Sequence, residues 1–361
     1  MIQLIFDKHN CFGCAACSAV CPQNAISMQE DEEGFLYPKI SEESCIECGK
    51  CVQICNKTKT QTTSEIKAYA LRCNDMELLQ ASSSGGAFSL LADAVLKEGG
   101  LVCGAEFDRE FRVCHVLSTD IEPMRKSKYI QSDISDVYLQ IEAALKDGKQ
   151  VLFSGTPCQC DGMRKYFGEN SGGLILAALI CRGVQSPGLW SDYVSYISGN
   201  ERLEKYCFRD KRVKNDGHTV SYRLSNNEES AVSMGNDPFS RLYMKCLTLR
   251  PSCYQCPYTN TDIPFDLTIG DFWGVEKVFS HLADGMGSSL VIARTDAAQA
   301  LLQKVKPEAQ ILECDINEAL QPALKEPAKE TLLRKLLFRD YSKKDEDGRS
   351  DIPLILKKYG G

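Results

Sequence analysis

The chain has 361 residues, of which 43% are hydrophobic and 25% are charged, so it has room for two or three folded domains and does not have the composition of a disordered protein. Its 42 basic and 49 acidic residues give a net charge of −7, which excludes the basic surface expected of a nucleic-acid-binding protein. The absence of a long apolar run and of an N-terminal export signal predicts a cytoplasmic protein without an integral membrane segment.

Two nearly identical cysteine motifs occupy the N-terminal part of the chain. Each has the pattern C-x2-C-x2-C-x3-C, in which three thiolates bind one iron-sulfur cluster and the fourth binds a second cluster. The predicted ligand sets are therefore Cys11, Cys14, Cys17 and Cys55 for one cluster, and Cys45, Cys48, Cys51 and Cys21 for the other. Two structural zinc sites are the alternative, but zinc ribbons do not require the third closely spaced cysteine that both motifs have.

This N-terminal segment resembles a bacterial ferredoxin domain with two [4Fe-4S] clusters, which implies an α+β ferredoxin-like fold. The whole chain has 19 cysteines and only 4 histidines, which favours metal or redox chemistry over disulfides and over mixed Cys/His zinc sites. The polar stretch KTKTQTTSE that follows Asn56 is predicted to be a linker.

Predicted strands alternate with predicted helices from residue 66 onward, which indicates an α/β core with helices on both faces of a sheet. IKAYALRC is a strand candidate, and Phe88, Leu91, Ala92 and Val95 recur at helical spacing before the strand LVCGAEF. VLFSGTPCQCDGMRKYFG and GGLILAALICRGVQSPGLWSDYVSYI repeat the order of strand and helix, and a further strand ends in GDFWG. Ligands of such sheets bind at the carboxyl ends of the strands.

Two features of this core are ambiguous when only the residues are considered. The run Ser82–Gly86 opens a helix and could bind phosphate through free backbone N–H groups, or it could be an ordinary helix cap. Four cysteines on separate loops could bind a third cluster, although a buried free thiol is the more common role of any one of them. They are Cys158, Cys181, Cys253 and Cys256.

The core resembles the coenzyme F420 hydrogenase/dehydrogenase beta-subunit family. The resemblance spans residues 66–295 and rests on SSSGGAF, SKYIQS, VLFSGTPCQ, LICRGVQSP, LRPSCYQC, TIGDFWG and DGMGSSLVIA. It implies an α/β flavin-binding core that binds FAD and one [4Fe-4S] cluster, with Cys158, Cys181, Cys253 and Cys256 as ligands. The implied flavin contacts are Ser84, Gly85, Gly86, Lys128, Tyr129, Gln131 and Thr156. The chain departs from the family pattern at Arg182, where histidine is common, and at Lys126, where glycine is common.

The predicted domains are 1–60 (two-cluster ferredoxin), 66–160 and 161–330 (N- and C-terminal regions of the beta-subunit family) and 331–361 (a C-terminal helix and tail). The predicted function is an oxidoreductase that passes electrons between its clusters and FAD, to reduce or oxidise an organic substrate or a deazaflavin or ferredoxin carrier. Expected partners are a ferredoxin, a catalytic subunit or a reduced F420-type carrier. Two alternatives remain: the electron-transfer beta subunit of a larger hydrogenase- or dehydrogenase-type complex, and a non-enzymatic redox sensor.

Overall fold

The computed structural model describes residues 4, 7–55, 66–168, 171–214, 218–346 and 348–361, so the predicted linker lies outside the described residues. The strands are β1 (Ile26–Glu30), β2 (Leu36–Ile40), β3 (Lys67–Cys73), β4 (Leu101–Phe107), β5 (Val113–Ser118), β6 (Val151–Gly155), β7 (Leu174–Leu179), β8 (Leu203–Cys207), β9 (Thr219–Leu224), β10 (Glu229–Ser233), β11 (Leu267–Asp271), β12 (Ser289–Ala293) and β13 (Ala309–Cys314). The α-helices are α1 (Ala16–Ala19), α2 (Lys50–Cys55), α3 (Met76–Ala81), α4 (Ala87–Lys97), α5 (Val137–Lys146), α6 (Pro157–Phe167), α7 (Pro187–Ser198), α8 (Lys211–Lys214), α9 (Pro238–Met244), α10 (Val275–Val278), α11 (Asp296–Val305), α12 (Leu332–Tyr341) and α13 (Ile352–Ile355).

The N-terminal domain consists of two short helices and a two-stranded antiparallel sheet. Ile26 of β1 pairs with Ile40 of β2 across this sheet. The helices α1 and α2 start inside the two cysteine motifs and contact each other. This arrangement has the mixed α+β character predicted for the segment.

The core contains an eight-stranded sheet in the order β13-β3-β12-β11-β7-β6-β4-β5. Its four central strands, β11, β7, β6 and β4, are parallel, whereas the outer pairs are antiparallel. The prediction of an α/β core is confirmed at this coarse level, but the sheet is mixed. One reason is local: the short turn between β4 and β5, where the Asp108 and Arg112 backbones pair, permits only an antiparallel hairpin.

The chain segments that follow several of the predicted strands lie at one edge of this sheet. The parallel strands β6, β7 and β11 end at Gly155, Leu179 and Asp271 on this carboxyl edge. Helix α6 begins there with a capping box, in which the Gln159 side chain accepts from the Thr156 backbone N–H at 2.9 Å. Loops that contain candidate site residues therefore share one side of the core.

A second hydrophobic cluster joins the two ends of the chain. Phe35 of the N-terminal hairpin, Trp190 of α7 and Phe338 of α12 are buried in it, together with residues of the small sheet β10-β9-β8, which the sequence did not predict. The hairpin turn also packs closely, because the Gly34 backbone accepts a hydrogen bond from the Gly188 N–H at 3.0 Å. The predicted domain boundaries stay predictions, but this cluster packs described residues of the N-terminal segment, the core and the C-terminal segment together. No helix in the described ranges has the length and apolar character needed to cross a bilayer.

Candidate metal and cofactor site

The two cysteine motifs have the same backbone twist at equivalent positions. Gly13 and Glu47, each two residues after the first cysteine of a motif, have φ of +67° and +54°. Ala15 and Gly49, two residues further on, have φ of +57° and +73°. Left-handed residues alternating with ordinary ones turn successive N–H groups towards one side, which forms the anion-binding concavity found at many iron-sulfur sites. Ala15 and Glu47 adopt this left-handed conformation although it costs about 1 kcal/mol for each residue that has a Cβ atom.

The proximal set, defined as Cys11, Cys14, Cys17 and Cys55, lies in one neighbourhood. Burial, together with the nearby thiols of Cys11 and Cys55, raises the pKa of Cys14 to about 12, whereas a hydrogen bond from the Ala16 backbone opposes the rise. Burial also raises the pKa of Cys17 strongly, again with Cys14, Cys11 and Cys55 as the neighbouring thiols. Thiols this close cannot all ionise without a compensating positive charge, and iron supplies that charge in clusters held by thiolates.

The distal set, defined as Cys21, Cys45, Cys48 and Cys51, lines a single cavity in the N-terminal domain. Ile26 and Ile40 complete its apolar wall. The Ala25 N–H donates to Cys21 Sγ at 3.3 Å, a contact of the kind that tunes iron-sulfur centres. Cys48 is exposed and Cys51 is buried, so this set lies at the protein surface.

The core set, defined as Cys158, Cys181, Cys253 and Cys256, comes from three separate segments. Cys158 lies in the first turn of α6, Cys181 follows β7, and the last two lie in or after a short 3-10 helix, Pro251–Gln255. Burial raises the pKa of Cys181 well above its usual range, and the three other thiols of the set add to the rise. The structure therefore gathers the four cysteines that the resemblance predicted as ligands.

The proximal and core sets are neighbours. Cys158 of the core set is among the thiols that raise the pKa of Cys14, after burial and Cys11. The Tyr138 hydroxyl donates to the Cys14 carbonyl at 2.6 Å and fixes the motif against helix α5. The chain thus has three thiol neighbourhoods in the order distal, proximal and core.

Each neighbourhood has the donor set of a [4Fe-4S] cluster, which is four cysteine thiolates. Within the described ranges, no three Cys, His, Asp or Glu side chains are arranged to hold a single metal ion. All 19 cysteines are free thiols in the structure. The assignment of individual ligands stays a prediction.

The predicted flavin contacts fall into two groups. In the first group, the Ser84 hydroxyl donates to the Ser288 carbonyl at 2.9 Å, and the Gly85 N–H donates to Ser289 Oγ at 2.9 Å. Gly86 has φ of +90° and caps α4. The Ser289 hydroxyl thus takes up part of the predicted phosphate seat, whereas the Ser288 hydroxyl is buried without a hydrogen-bond partner.

Lys128 and Tyr129 lie close to this first group, because the adjacent Ser127 N–H donates to Ser83 Oγ at 2.8 Å. The Lys128 ammonium donates to three backbone carbonyls of its own loop, and burial lowers its pKa to about 8. The Tyr129 ring stacks on Tyr243 with centroids 4.7 Å apart.

Two buried cations that sequence reasoning missed connect these residues. Lys211 donates to the carbonyls of Leu79, Ser84 and Met286, and burial followed by the neighbouring Arg209 lowers its pKa to about 8. Arg209 pairs with Asp271 at the end of β11. The sequence signal was the run RDKRVK, which has the appearance of a solvated charged segment. A buried positive site of this kind, with the unpaired Ser288 hydroxyl, fits a phosphate-bearing cofactor.

Gln131 and Thr156 form the second group, beside the core set. Thr156 Oγ1 lies 3.2 Å from Cys158 Sγ, and Gln131 Oε1 accepts from Arg250 at 2.8 Å. Their side-chain contacts are therefore with residues in or next to the core set. All seven flavin contacts stay predictions.

A cavity of about 560 Å³ lies beside the carboxyl end of β3. Asp75, Glu77, Asp93 and Glu308 line it, with Arg125 as its basic residue. Four carboxylates would repel phosphate groups, so we do not assign a phosphate-bearing ligand to this cavity.

Two regions of the chain match models of known protein families. Residues 10–59 match the family model described as a 4Fe-4S dicluster domain, so the chain contains an iron-sulfur domain of that class. Residues 148–319 match the model for the C terminus of the coenzyme F420 hydrogenase/dehydrogenase beta subunit. The chain thus has a region that matches the C terminus of this beta-subunit family and an N-terminal dicluster domain, which confirms the resemblance found in its motifs.

Two individual proteins are similar to parts of the chain. A stretch of 70 residues is 34% identical to the B subunit of the Na(+)-translocating ferredoxin:NAD(+) oxidoreductase complex of Acetobacterium woodii, over 19% of this chain and 20% of that protein. The chain therefore spans about a fifth of the length of that relative. A polypeptide in the xenon-derivatised F420-reducing [NiFe] hydrogenase complex of Methanosarcina barkeri superposes with a TM-score of 0.47 and 18% identity, over 77% of this chain and 90% of the other.

Proposed function

We propose that this chain is an iron-sulfur flavoprotein oxidoreductase with three [4Fe-4S] clusters and FAD. It exchanges electrons between an outside redox partner and an organic substrate or a deazaflavin or ferredoxin carrier. When bound, the clusters supply single-electron transfer, and FAD links one-electron to two-electron chemistry. The remaining steps of the proposal concern what the residues of the chain do.

The observation that supports this function most is the position of Cys14 beside Cys158. Both residues are half-buried, and one belongs to the dicluster domain whereas the other belongs to the α/β core. A dicluster domain that only stored or sensed electrons would not need its inner thiols packed against a further set of four. The packing reduces the access of water to the junction, which lowers the reorganisation needed for charge to move across it.

The distal set is the proposed point of exchange with the partner protein. Cys48 is exposed, and the neighbouring apolar side chains of Ile46 and Val52 are 59% and 40% exposed. Exposed apolar residues beside a redox centre are suited to a short-lived protein contact. At the other end, Ser84, Arg209 and Lys211 would hold the phosphates of FAD at the carboxyl edge of the sheet.

The electron-transfer beta subunit of a larger complex is the second candidate. Its support is the family itself, whose name is that of a beta subunit. This candidate predicts isolation in a tight complex with a catalytic subunit, whereas the first predicts turnover of an acceptor by the chain alone. A redox sensor is the third candidate, and it predicts clusters without flavin.

Metal and flavin analysis of the anaerobically purified full chain tests the proposal. We expect about twelve irons, with matching sulfide, and one FAD per chain, because each cluster of this kind has four irons. Cys14→Ser, Cys48→Ser and Cys181→Ser should each reduce the iron content by about a third. Cys103→Ser is the matched control, since Cys103 is buried in the central sheet and belongs to none of the sets. Protein that contains zinc and no flavin would contradict the proposed function.

A further inference from the structure

We propose that Arg250 and Gln131 form a positively charged, hydrogen-bonded pair that raises the reduction potentials of the proximal and core clusters together. This inference rests on the proposed function, since it concerns residues between two predicted cluster sites. Neither residue is a predicted metal ligand. Both lie at the junction between the dicluster domain and the α/β core.

Arg250 reaches from the core into the proximal cysteine motif. Its Nε donates to the Cys11 carbonyl at 2.8 Å, and its Nη2 lies 3.5 Å from Cys11 Sγ. Its guanidinium carbon lies 4.0 Å from the centroid of the Tyr37 ring, so the group is held between this ring and the motif. The side chain therefore has one position, and that position is against a proximal thiol.

The same guanidinium also acts on the core set. Arg250 lies three residues before Cys253, and the Cys253 N–H donates to the Arg250 carbonyl at 2.9 Å. Its charge is close enough to Cys158 and Cys253 to interact electrostatically with both. A single cation is therefore close to thiols of two different sets.

In the part of the chain that the structure describes, no carboxylate balances the charge of Arg250. The residue is only 1% exposed, yet no Asp or Glu in the described ranges forms an ion pair with it. Two other buried arginines do have such partners: Arg334 pairs with Glu33, and Arg209 pairs with Asp271. An unbalanced buried charge is costly, so a negative group is expected nearby. Clusters bound by four thiolates on either side are negative groups of this kind.

Gln131 adds a second donor aimed at the proximal motif. Its Oε1 accepts from Arg250 Nη1 at 2.8 Å, which fixes the orientation of the amide. Its Nε2 is buried and has no hydrogen-bond partner among the residues that the structure describes. A Cβ atom built on Gly13 would stand 2.1 Å from this Nε2, so the free N–H group lies directly against the concave motif backbone. The sulfur of a bound cluster is the acceptor that this N–H lacks.

The expected effect follows from electrostatics. Reduction adds one negative charge to a cluster, and a buried cation or an N–H donor stabilises the reduced form more than the oxidised form. The pair therefore raises the potentials of the proximal and core clusters and leaves that of the distal cluster unchanged. Electrons that enter at the surface would then move towards the core rather than return.

The test is a potentiometric titration of the anaerobic full-length protein, followed by electron paramagnetic resonance. In Arg250→Gln, two of the three cluster potentials should become more negative while the distal one stays unchanged. Arg250→Lys should produce a smaller shift, because lysine keeps the charge but loses the fork of donors. Arg294→Gln is the control, since Arg294 is a buried arginine whose side chain donates to Thr261 and Thr268.

Gln131→Leu keeps the inference testable if Arg250→Gln does not fold. This variant retains the charge and should lower the proximal potential alone, by less than Arg250→Gln does. Full iron content with three unchanged potentials in both variants would overturn this inference and leave the proposed function intact. A wild-type protein without clusters would overturn both.

Discussion

Gly162 of helix α6 lies directly against Cys14 of the proximal motif. A Cβ atom built on Gly162 would stand 3.0 Å from the Cβ and 3.2 Å from the Sγ of Cys14, and 2.7 Å from the Tyr138 hydroxyl oxygen. The helix that begins with the core ligand candidate Cys158 thus has a glycine where the dicluster domain approaches it. This close approach sets the distance between the proximal and core sets.

Gly162→Ala should therefore separate the two domains at this point. Alanine ordinarily stabilises a helix interior by about 0.5–1 kcal/mol relative to glycine. A loss of stability in this variant would therefore result from the close contact with Cys14. We expect a destabilisation of about 1–3 kcal/mol, typical of overpacking, and weaker retention of the proximal cluster. Thermal unfolding and iron content measure these effects. Gly235→Ala is the control, because only Ser233 Oγ, at 3.8 Å, is near its added Cβ. Equal stability of both variants would refute the contact.

Gly13→Ala and Gly49→Ala form a matched pair of substitutions. Both glycines have positive φ, so alanine costs about 1 kcal/mol of backbone strain at each position. Only Gly13 faces a neighbour, since its added Cβ would meet Gln131, whereas nothing lies within 4 Å of the one on Gly49. Iron analysis should show loss of the proximal cluster in Gly13→Ala and nearly full iron in Gly49→Ala. Equal loss of iron in the two variants would mean that backbone strain, not packing, decides cluster retention.

Arg334 should act as the main electrostatic link between the C-terminal helix and the dicluster domain. Its guanidinium donates to both carboxylate oxygens of Glu33 and to the Leu249 carbonyl, and its side chain is 4% exposed. Arg334→Met leaves the largely buried Glu33 carboxylate without its partner. The free energy of unfolding in urea should therefore fall by about 3–5 kcal/mol. Arg112→Met breaks an exposed pair with Asp108 and should cost about 0–1 kcal/mol. Similar losses of stability in the two variants would show that the buried pair stabilises the fold no more than the exposed one.

His115 should make the folded state less stable as the pH falls below neutrality. Burial lowers its pKa from 6.5 to about 4, aided by Lys128 and opposed by the bond of Nε2 to the Ser154 carbonyl and by Asp133. The unfolded chain therefore takes up a proton near 6.5 while the folded chain stays neutral until about 4. Stability should fall by about 2 kcal/mol from pH 7 to pH 5 through this residue, and the fall should end below pH 4.

Urea unfolding of the wild type and of His115→Phe at these two pH values checks this effect. The variant keeps a ring that can stack on Phe153 but cannot bind a proton. Between pH 7 and pH 5, the free energy of unfolding of the variant should fall by about 2 kcal/mol less than that of the wild type, even if the variant is less stable at both pH values. Parallel pH profiles would contradict the assignment of the effect to His115.

The sequence by itself determined the local features of this protein. The spacing of cysteines within each motif predicted a dicluster domain, and the family match over residues 10–59 agrees with it. Strand and helix candidates of the core were located at β3, α4, β4, β6, α6, β7, α7 and β11, because their signals depend on neighbours within a few residues. The antiparallel outer strands and the small sheet β10-β9-β8 were missed, because pairing partners are not encoded in the periodicity of a single strand.

Only the tertiary structure decided how the thiol sets relate to one another. Arg250 was visible in LRPSCYQC, but its contact with Cys11 depends on how the dicluster domain packs on the core. The same holds for Gln131, whose unpaired amide N–H is a property of its buried surroundings and not of its residue type. Metal-ligand spacing is a short-range property of the chain, whereas the charge and the distance between two clusters are set by contacts between segments far apart in sequence, and such contacts exist only after folding.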